Sequence, residues 1–262
     1  IMSSQVEELT ILCASEGGKP YIDSKVEIQR AINGIKIAIE QIGLQEGHEI
    51  AMGHTVSSAN RIAYTMKEPI GVVAAISAFN HPFNLAVHQV IPAIAVGCPV
   101  IIRPATQTPM SAIKLVEILK EAGLPNGWAQ AVVCDRNAGE LLVTSPKTAF
   151  FTFIGSGPVG WYLNSKSSPG TRSALEHGGV APVIVEPDAD IEAMIPDLVK
   201  GGFYHAGKVC VSVQRIFVHE SIANTVASKI AEKASKLVVG NQLDPKTEVG
   251  PLINHNEVNR VE

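Results

Sequence analysis

Gly71-Val72-Val73-Ala74-Ala75-Ile76-Ser77-Ala78 is a continuous apolar run, and Pro99-Val100-Ile101-Ile102-Arg103 is a second. Between them, Asn84 to Val96 has the length and pattern of a helix. Strands apolar on both faces and separated by helices predict a parallel sheet covered on both sides. From Pro69 to Ile102 there is no Asp, Glu, Lys or Arg, which also invites a membrane reading. Asn80, His81, Asn84, His88 and Gln89, with Pro82, Pro92 and Pro99, interrupt the run too often for a span of ~20 apolar residues.

The alternation continues downstream. A helix is expected over Met110–Ala122 and a strand over Trp128–Cys134. A short helix follows over Ala138–Val143, then a strand over Ala149–Ile154. The fold class is therefore α/β, with a doubly wound parallel-sheet domain that binds ligands beyond the carboxyl ends of its strands. Upstream, Ile28, Ile32, Ile35, Ile39 and Ile42 form one helical stripe; Ser24 is the expected cap and Gly43 the expected end. Glu49–Gly53 and Arg61–Lys67 read as a hairpin or a pair of edge strands. Gly178-Gly179 marks an expected boundary between domains 1–178 and 179–262. The second starts another α/β pattern: strand Pro182–Glu186, helix Ile191–Lys200, strand Arg215–His219 and helix Ile222–Val238.

Composition narrows the function. The chain has 262 residues, 46% hydrophobic and 18% charged, an ordinary globular profile. A formal charge of -4 and the lack of a basic, aromatic-studded patch argue against nucleic acid, and nothing favours a membrane. The four cysteines lack metal-ligand spacing, so free thiols and a cytoplasmic location are expected. No signal peptide is visible.

Two short segments carry chemistry. Leu175-Glu176-His177-Gly178-Gly179 is followed by Gly207-Lys208-Val209-Cys210, a carboxylate and a thiol each beside glycine. A thiolate can attack a carbonyl while a carboxylate moves protons. Asn80, in Phe79-Asn80-His81-Pro82-Phe83-Asn84, is a side-chain amide able to steady an oxyanion. Each residue also has a plainer reading. Cys210 fits a small buried hydrophobe, Glu176 a solvated surface acid and Asn80 a turn residue. Gly155-Ser156-Gly157-Pro158-Val159-Gly160 matches G-x-G-x-x-G, with Glu176 at the distance of a ribose-binding acid. It follows the fourth strand, whereas that fingerprint normally sits in the first strand-helix unit.

Together these segments resemble the aldehyde dehydrogenase superfamily, and the resemblance runs along essentially the whole chain. It implies Cys210 as nucleophile, Glu176 as general base and Asn80 as oxyanion donor. It implies NAD or NADP as cofactor, held by Ser77, Ala78, Phe79, Arg103, Ala105, Thr106, Gly155, Ser156, Val159 and Gly178. It further implies a small aldehyde substrate and a homodimer or homotetramer, with an oligomerisation hairpin near 51–67. The Asn80–Asn84 motif is similar to that of lactaldehyde-, glyceraldehyde- and phosphonoacetaldehyde-type members, which suggests a small polar aldehyde.

Departures qualify this. Arg103 stands where relatives usually have Lys, and Thr106 where NAD-preferring relatives often have Glu. Thr would not repel a 2′-phosphate, so NADP is expected to be tolerated beside NAD. Lys208 stands where many relatives have Gln, and is expected to lower the Cys210 pKa electrostatically. Family members are roughly twice as long, so the chain is expected to be an internal piece, with partial domains. A CoA-acylating dehydrogenase is the first rival, and Glu176 argues for hydrolysis instead. A non-catalytic protein keeping the fold is the second.

Overall fold

The computed structural model describes residues 1–262. The chain opens with helices α1 (Val6–Gly17) and α2 (Tyr21–Ile42), followed by the short strands β1 (Glu49–Ile50) and β2 (Ala63–Tyr64). Next come β3 (Val72–Ile76), α3 (Pro82–Ala95), β4 (Val100–Arg103), α4 (Met110–Glu121), β5 (Ala129–Ala131) and α5 (Arg136–Thr144). β6 (Thr148–Gly155), α6 (Gly157–Lys166) and β7 (Arg172–His177) complete the main sheet. The remainder is β8 (Val183–Val185), α7 (Ile191–Phe203), β9 (Ile216–Val218), α8 (Ala223–Ala234) and α9 (His255–Val261).

The main sheet is parallel throughout, in the order β5-β4-β3-β6-β7. Strand β3 shows why its sequence is apolar without interruption. Val73 and Ala75 pack into the larger core, with Leu9, Ile28, Phe83 and Val87 from the helices on one face. Ala74 and Ile76 pack into a second core with Val143, Phe151, Phe153 and Leu163 on the other. Alternate residues point to opposite faces, so a strand buried on both sides has no polar positions. The chain runs from β3 outward through β4 to β5, then returns to place β6 on the opposite flank of β3. The carboxyl ends of β3 and β6 therefore flank the point where strand order reverses, which is where such sheets bind ligands.

β8 and β9 form a separate two-stranded parallel sheet. Ile195 and Val199 of α7 pack there against Val226 of α8. The segments expected to form a hairpin do pair antiparallel, through Glu49–Tyr64 and Ile50–Ala63, over a shorter length than expected.

Several expectations need correction. Ser24 does not cap α2: the helix starts at Tyr21 after Pro20, and the buried Ser24 hydroxyl donates to Lys19 O at 3.3 Å. Proline's fixed φ and missing N–H suit the entrance to a helix, which moves the start forward. The isoleucine stripe is covered only in its first half, since Ile39 and Ile42 are exposed. Three elements had no expectation: α1, β7 and α9. β7 is polar and mostly exposed, so it lacks the apolar run that revealed its neighbours. No helix is long and apolar enough to cross a membrane.

Candidate active site

Asn80 lies in the turn that carries the chain from β3 into α3. Its Oδ1 accepts from the His81 N–H at 3.1 Å. The NH₂ group makes no hydrogen bond within the chain and remains a donor. The start of α3 is held by an acid from another helix. Glu27 of α2 is buried, and its Oε1 accepts from the N–H groups of Phe83 and Asn84, both at 2.9 Å. This caps the positive end of α3 with a carboxylate. Lys19 pairs with the other oxygen of Glu27, and Cys13 Sγ donates to that oxygen at 3.2 Å. Burial pushes the Glu27 carboxyl up, but Lys19 and His81 outweigh it and hold the group at about 2. Lys19 Nζ also meets His81 Nδ1 at 2.6 Å.

Cys210 follows a tight turn after α7. His205, Ala206 and Gly207 all have positive φ, at 50°, 54° and 72°. Burial first, then Lys208 and Lys19, hold the His205 imidazole down to about 2. Neither ring nitrogen of His205 has a hydrogen-bond partner. Lys208 follows, with its ammonium donating to Gly17 O at 3.0 Å and Pro251 O at 2.6 Å. Cys210 itself is exposed and is a free thiol. Its carbonyl accepts from the Gly179 N–H at 3.2 Å, and Gln214 Nε2 donates to Gly179 O at 3.0 Å. The Cys210 segment therefore runs alongside Gly179, three residues beyond Glu176.

The Asn80 turn and the Cys210 segment meet through aromatic rings. His81 stacks on Tyr204 and meets His205 edge-on, both with centroids 6.3 Å apart. Glu176, at the carboxyl end of β7, is exposed. It lines a cavity of about 400 Å³ with His88, Gln89, Thr152 and Phe153. Gln89 is fixed there by donating to Ile76 O at 3.1 Å and Thr152 O at 3.3 Å. Burial and Arg30 lower the His88 pKa, and the neighbouring Glu176 opposes them.

The expected cofactor residues collect at the same ends of the strands. Ser77, Ala78 and Phe79 follow β3, with Ser77 buried and its hydroxyl unpartnered. Gly155 ends β6, Ser156 precedes α6, and Val159 is in its exposed first turn. Ser156 makes no cap to its own helix, so its hydroxyl stays free beside the first N–H groups of α6. That arrangement fits an anionic diphosphate. Gly160 has a different reason for being glycine. A Cβ there would lie 2.8 Å from Phe153 Cδ1 and would strike the His177 ring. Gly178 lies in open space after β7.

Arg103 ends β4, one strand away, and Ala105 and Thr106 follow it. Arg103 turns toward α5, donating from Nη2 to Cys134 O at 3.1 Å. Thr106 is exposed and Ala105 half-buried. No contact joins these three to Cys210 or Glu176. Lys19, Glu27 and the joining role of His81 had no sequence signal, because a Lys and a Glu eight residues apart form no known motif.

Known proteins resemble this chain in sequence and fold. The aldehyde dehydrogenase family profile matches residues 1–262. A 3-sulfolactaldehyde dehydrogenase of Priestia aryabhattai is 41% identical over 264 residues, covering 100% of this chain and 55% of that protein. A lactaldehyde dehydrogenase of Methanocaldococcus jannaschii is 37% identical over 261 residues, covering 98% and 55%. The crystal structure of a glyceraldehyde-3-phosphate dehydrogenase from the same organism, complexed with NADP, superposes with a TM-score of 0.92 at 36% identity. That match covers 99% of this chain and 57% of the other. The chain thus spans about half the length of the curated relatives it matches. On this sequence match and this shared fold, the chain belongs to the aldehyde dehydrogenase family.

Proposed function

We propose that this chain supplies the catalytic centre of an NAD(P)-dependent enzyme that oxidises an aldehyde to a carboxylic acid. The observation that carries the reading is the 3.2 Å bond from Gly179 N–H to Cys210 O, which sets the thiol beside the Glu176 segment. In this reading the Cys210 thiol gives up its proton to solvent and its Sγ adds to the aldehyde carbon, whose oxygen becomes an oxyanion. The Asn80 NH₂ and the Cys210 N–H donate to it. A dinucleotide held at Ser156 and the start of α6 would supply the hydride acceptor that lets the Cys210 adduct become a thioester. Glu176 then takes a proton from water, whose oxygen adds to the thioester carbon. The C–S bond breaks, the acid leaves and the thiol is restored. Glu176 favours water over CoA as the acyl acceptor.

Ser156 and the start of α6 would hold the diphosphate, with Ser77 to Phe79 lining the same crevice. Arg103, Ala105 and Thr106 would face the adenosine end. Thr106 presents no negative charge to a 2′-phosphate, and the structural relative complexed with NADP is consistent with use of either dinucleotide. The relatives named for lactaldehyde and 3-sulfolactaldehyde support a small polar aldehyde as substrate. The boundary near Gly178-Gly179 would separate cofactor and catalytic domains, and the β1–β2 hairpin would serve a homo-oligomer in the cytoplasm. The test is turnover of the full protein on a panel of small polar aldehydes with each dinucleotide. Oxidation that disappears in Cys210→Ser supports the reading. Oxidation that persists in that variant contradicts it.

A further inference from the structure

The turn ahead of Cys210 is unusual in energy as well as shape. Three successive residues lie in the left-handed region, and two of them, His205 and Ala206, are not glycine. Each such residue costs roughly 1–2 kcal/mol. Strain of this kind persists only where the surroundings over-determine it. At the end of the turn, Lys208 N–H donates to His205 O at 3.1 Å. His205 is fully buried and packs against His81 and Tyr204, but forms no hydrogen bond through its ring. The Lys208 side chain adds hydrogen bonds that tie the turn to other segments.

That side chain reaches out of the turn to a junction of three chain segments. It donates to Gly17 O, at the end of α1, and to Pro251 O, in the segment before α9. The junction is closed. A Cβ on Gly18 would lie 3.1 Å from Pro251 Cγ and 3.3 Å from Lys208 Nζ, and one on Gly250 would strike Gly18 O. Gly17 also borders the Asn80 turn: a Cβ on it would lie 3.8 Å from Phe79 O. One short stretch of α1 therefore abuts the residue before Asn80 and anchors the residue two before Cys210.

We infer that Lys208 is a positioning residue, whose two donated hydrogen bonds clamp the strained turn before Cys210 to the frame that holds Asn80. The inference rests on the proposed roles of Cys210 and Asn80, and it makes Lys208 a hydrogen-bond donor in place of an electrostatic activator of the thiol. The groups facing it are Lys19 and His205, with Glu27 and His81 behind them. Burial, with Lys19 second, lowers the Lys208 pKa to about 8. A neutral amine still donates, so the clamp survives that titration, whereas an activating charge would not.

The test compares Lys208→Gln with Lys208→Met in the full protein. Gln is shorter but keeps N–H donors; Met keeps the stem and has none. Misplacement of a reacting group by about 1 Å can cost ~100-fold. Lys208→Met should therefore lose at least about tenfold in kcat with the dinucleotide KM unchanged, and Lys208→Gln should stay within about threefold of the parent. The pH midpoint for alkylation of the Cys210 thiol should match the parent in both. Backbone amides of residues 205–212 should exchange faster in Lys208→Met, with those of β3 and β6 unchanged. Equal losses in both variants with a raised thiol midpoint would overturn the inference in favour of charge. Unchanged exchange in Lys208→Met would overturn the clamp itself. Hydrogen exchange needs no turnover, so an inactive Cys210→Ser control tests the enzymatic reading separately from the clamp.

Discussion

Asn80 illustrates how little freedom the central residues have. Its oxygen accepts from the next backbone N–H, and in the proposed mechanism its NH₂ donates to the oxyanion. Removing one oxyanion donor typically costs 10²–10³ in kcat, so Asn80→Ala should lose about 100-fold in turnover with little change in Tm. Steady-state kinetics beside thermal melts check this. His205 makes a pH prediction with a definite sign. Its pKa is lowered from 6.5 to about 2 in the fold, so below pH 6.5 the unfolded chain binds the extra proton. Stability is therefore full above pH 6.5 and falls with acidification, by about 2 kcal/mol near pH 5 from this group. His205→Asn removes the titration and tolerates the left-handed backbone. Its melting temperature should drop less between pH 7 and pH 5 than the parent's, and an equal drop would count against the assignment.

At the scale of elements, α6 is set against β6 and β7 by glycine. Gly160→Ala would press a methyl into Phe153 and His177, and overpacking of this sort costs about 1–3 kcal/mol. The first turn of α6 should shift, so both a lower Tm and a higher dinucleotide KM are expected from melts and cofactor titrations. The elements also show where sequence reading succeeds. β3, β4 and β6 announce themselves because burial on both faces forces long apolar runs. α3 and α4 follow from period and length. β7 was hidden because Arg172, Ser173 and Glu176 are exposed. The helix start at Tyr21 was hidden because Ser24 lies inside the first turn, where its hydroxyl donates back to Lys19 O ahead of the helix. The site was legible as three segments, since each carries its reactive residue locally. What joins them was not: Lys19 and Glu27 meet His81 across 62 and 54 residues of sequence, and only the fold makes that contact.

Over the whole molecule, the two most exposed large apolar residues are Val56 and Ile62, at 99% and 90%, both between β1 and β2; Tyr64 and Met66 just after them are exposed as well. Exposed apolar side chains grouped in this way mark an interaction surface. In the proposed homo-oligomer the hairpin bearing Val56 and Ile62 lies at a subunit contact. Val56→Asp combined with Ile62→Asp should lower the sedimentation mass of the full protein, and an unchanged mass would place the contact elsewhere. The central claim concerns a smaller place, where Asn80, Glu176 and Cys210 act on one carbonyl carbon. Glu176→Gln leaves the thiol to react and removes the base that would release its product. Intact-protein and peptide mass spectrometry of that variant, after exposure to a small polar aldehyde and NAD or NADP, tests the claim most directly. The account predicts an acyl adduct on the peptide containing Cys210; an adduct on another residue, or none at all, would contradict it.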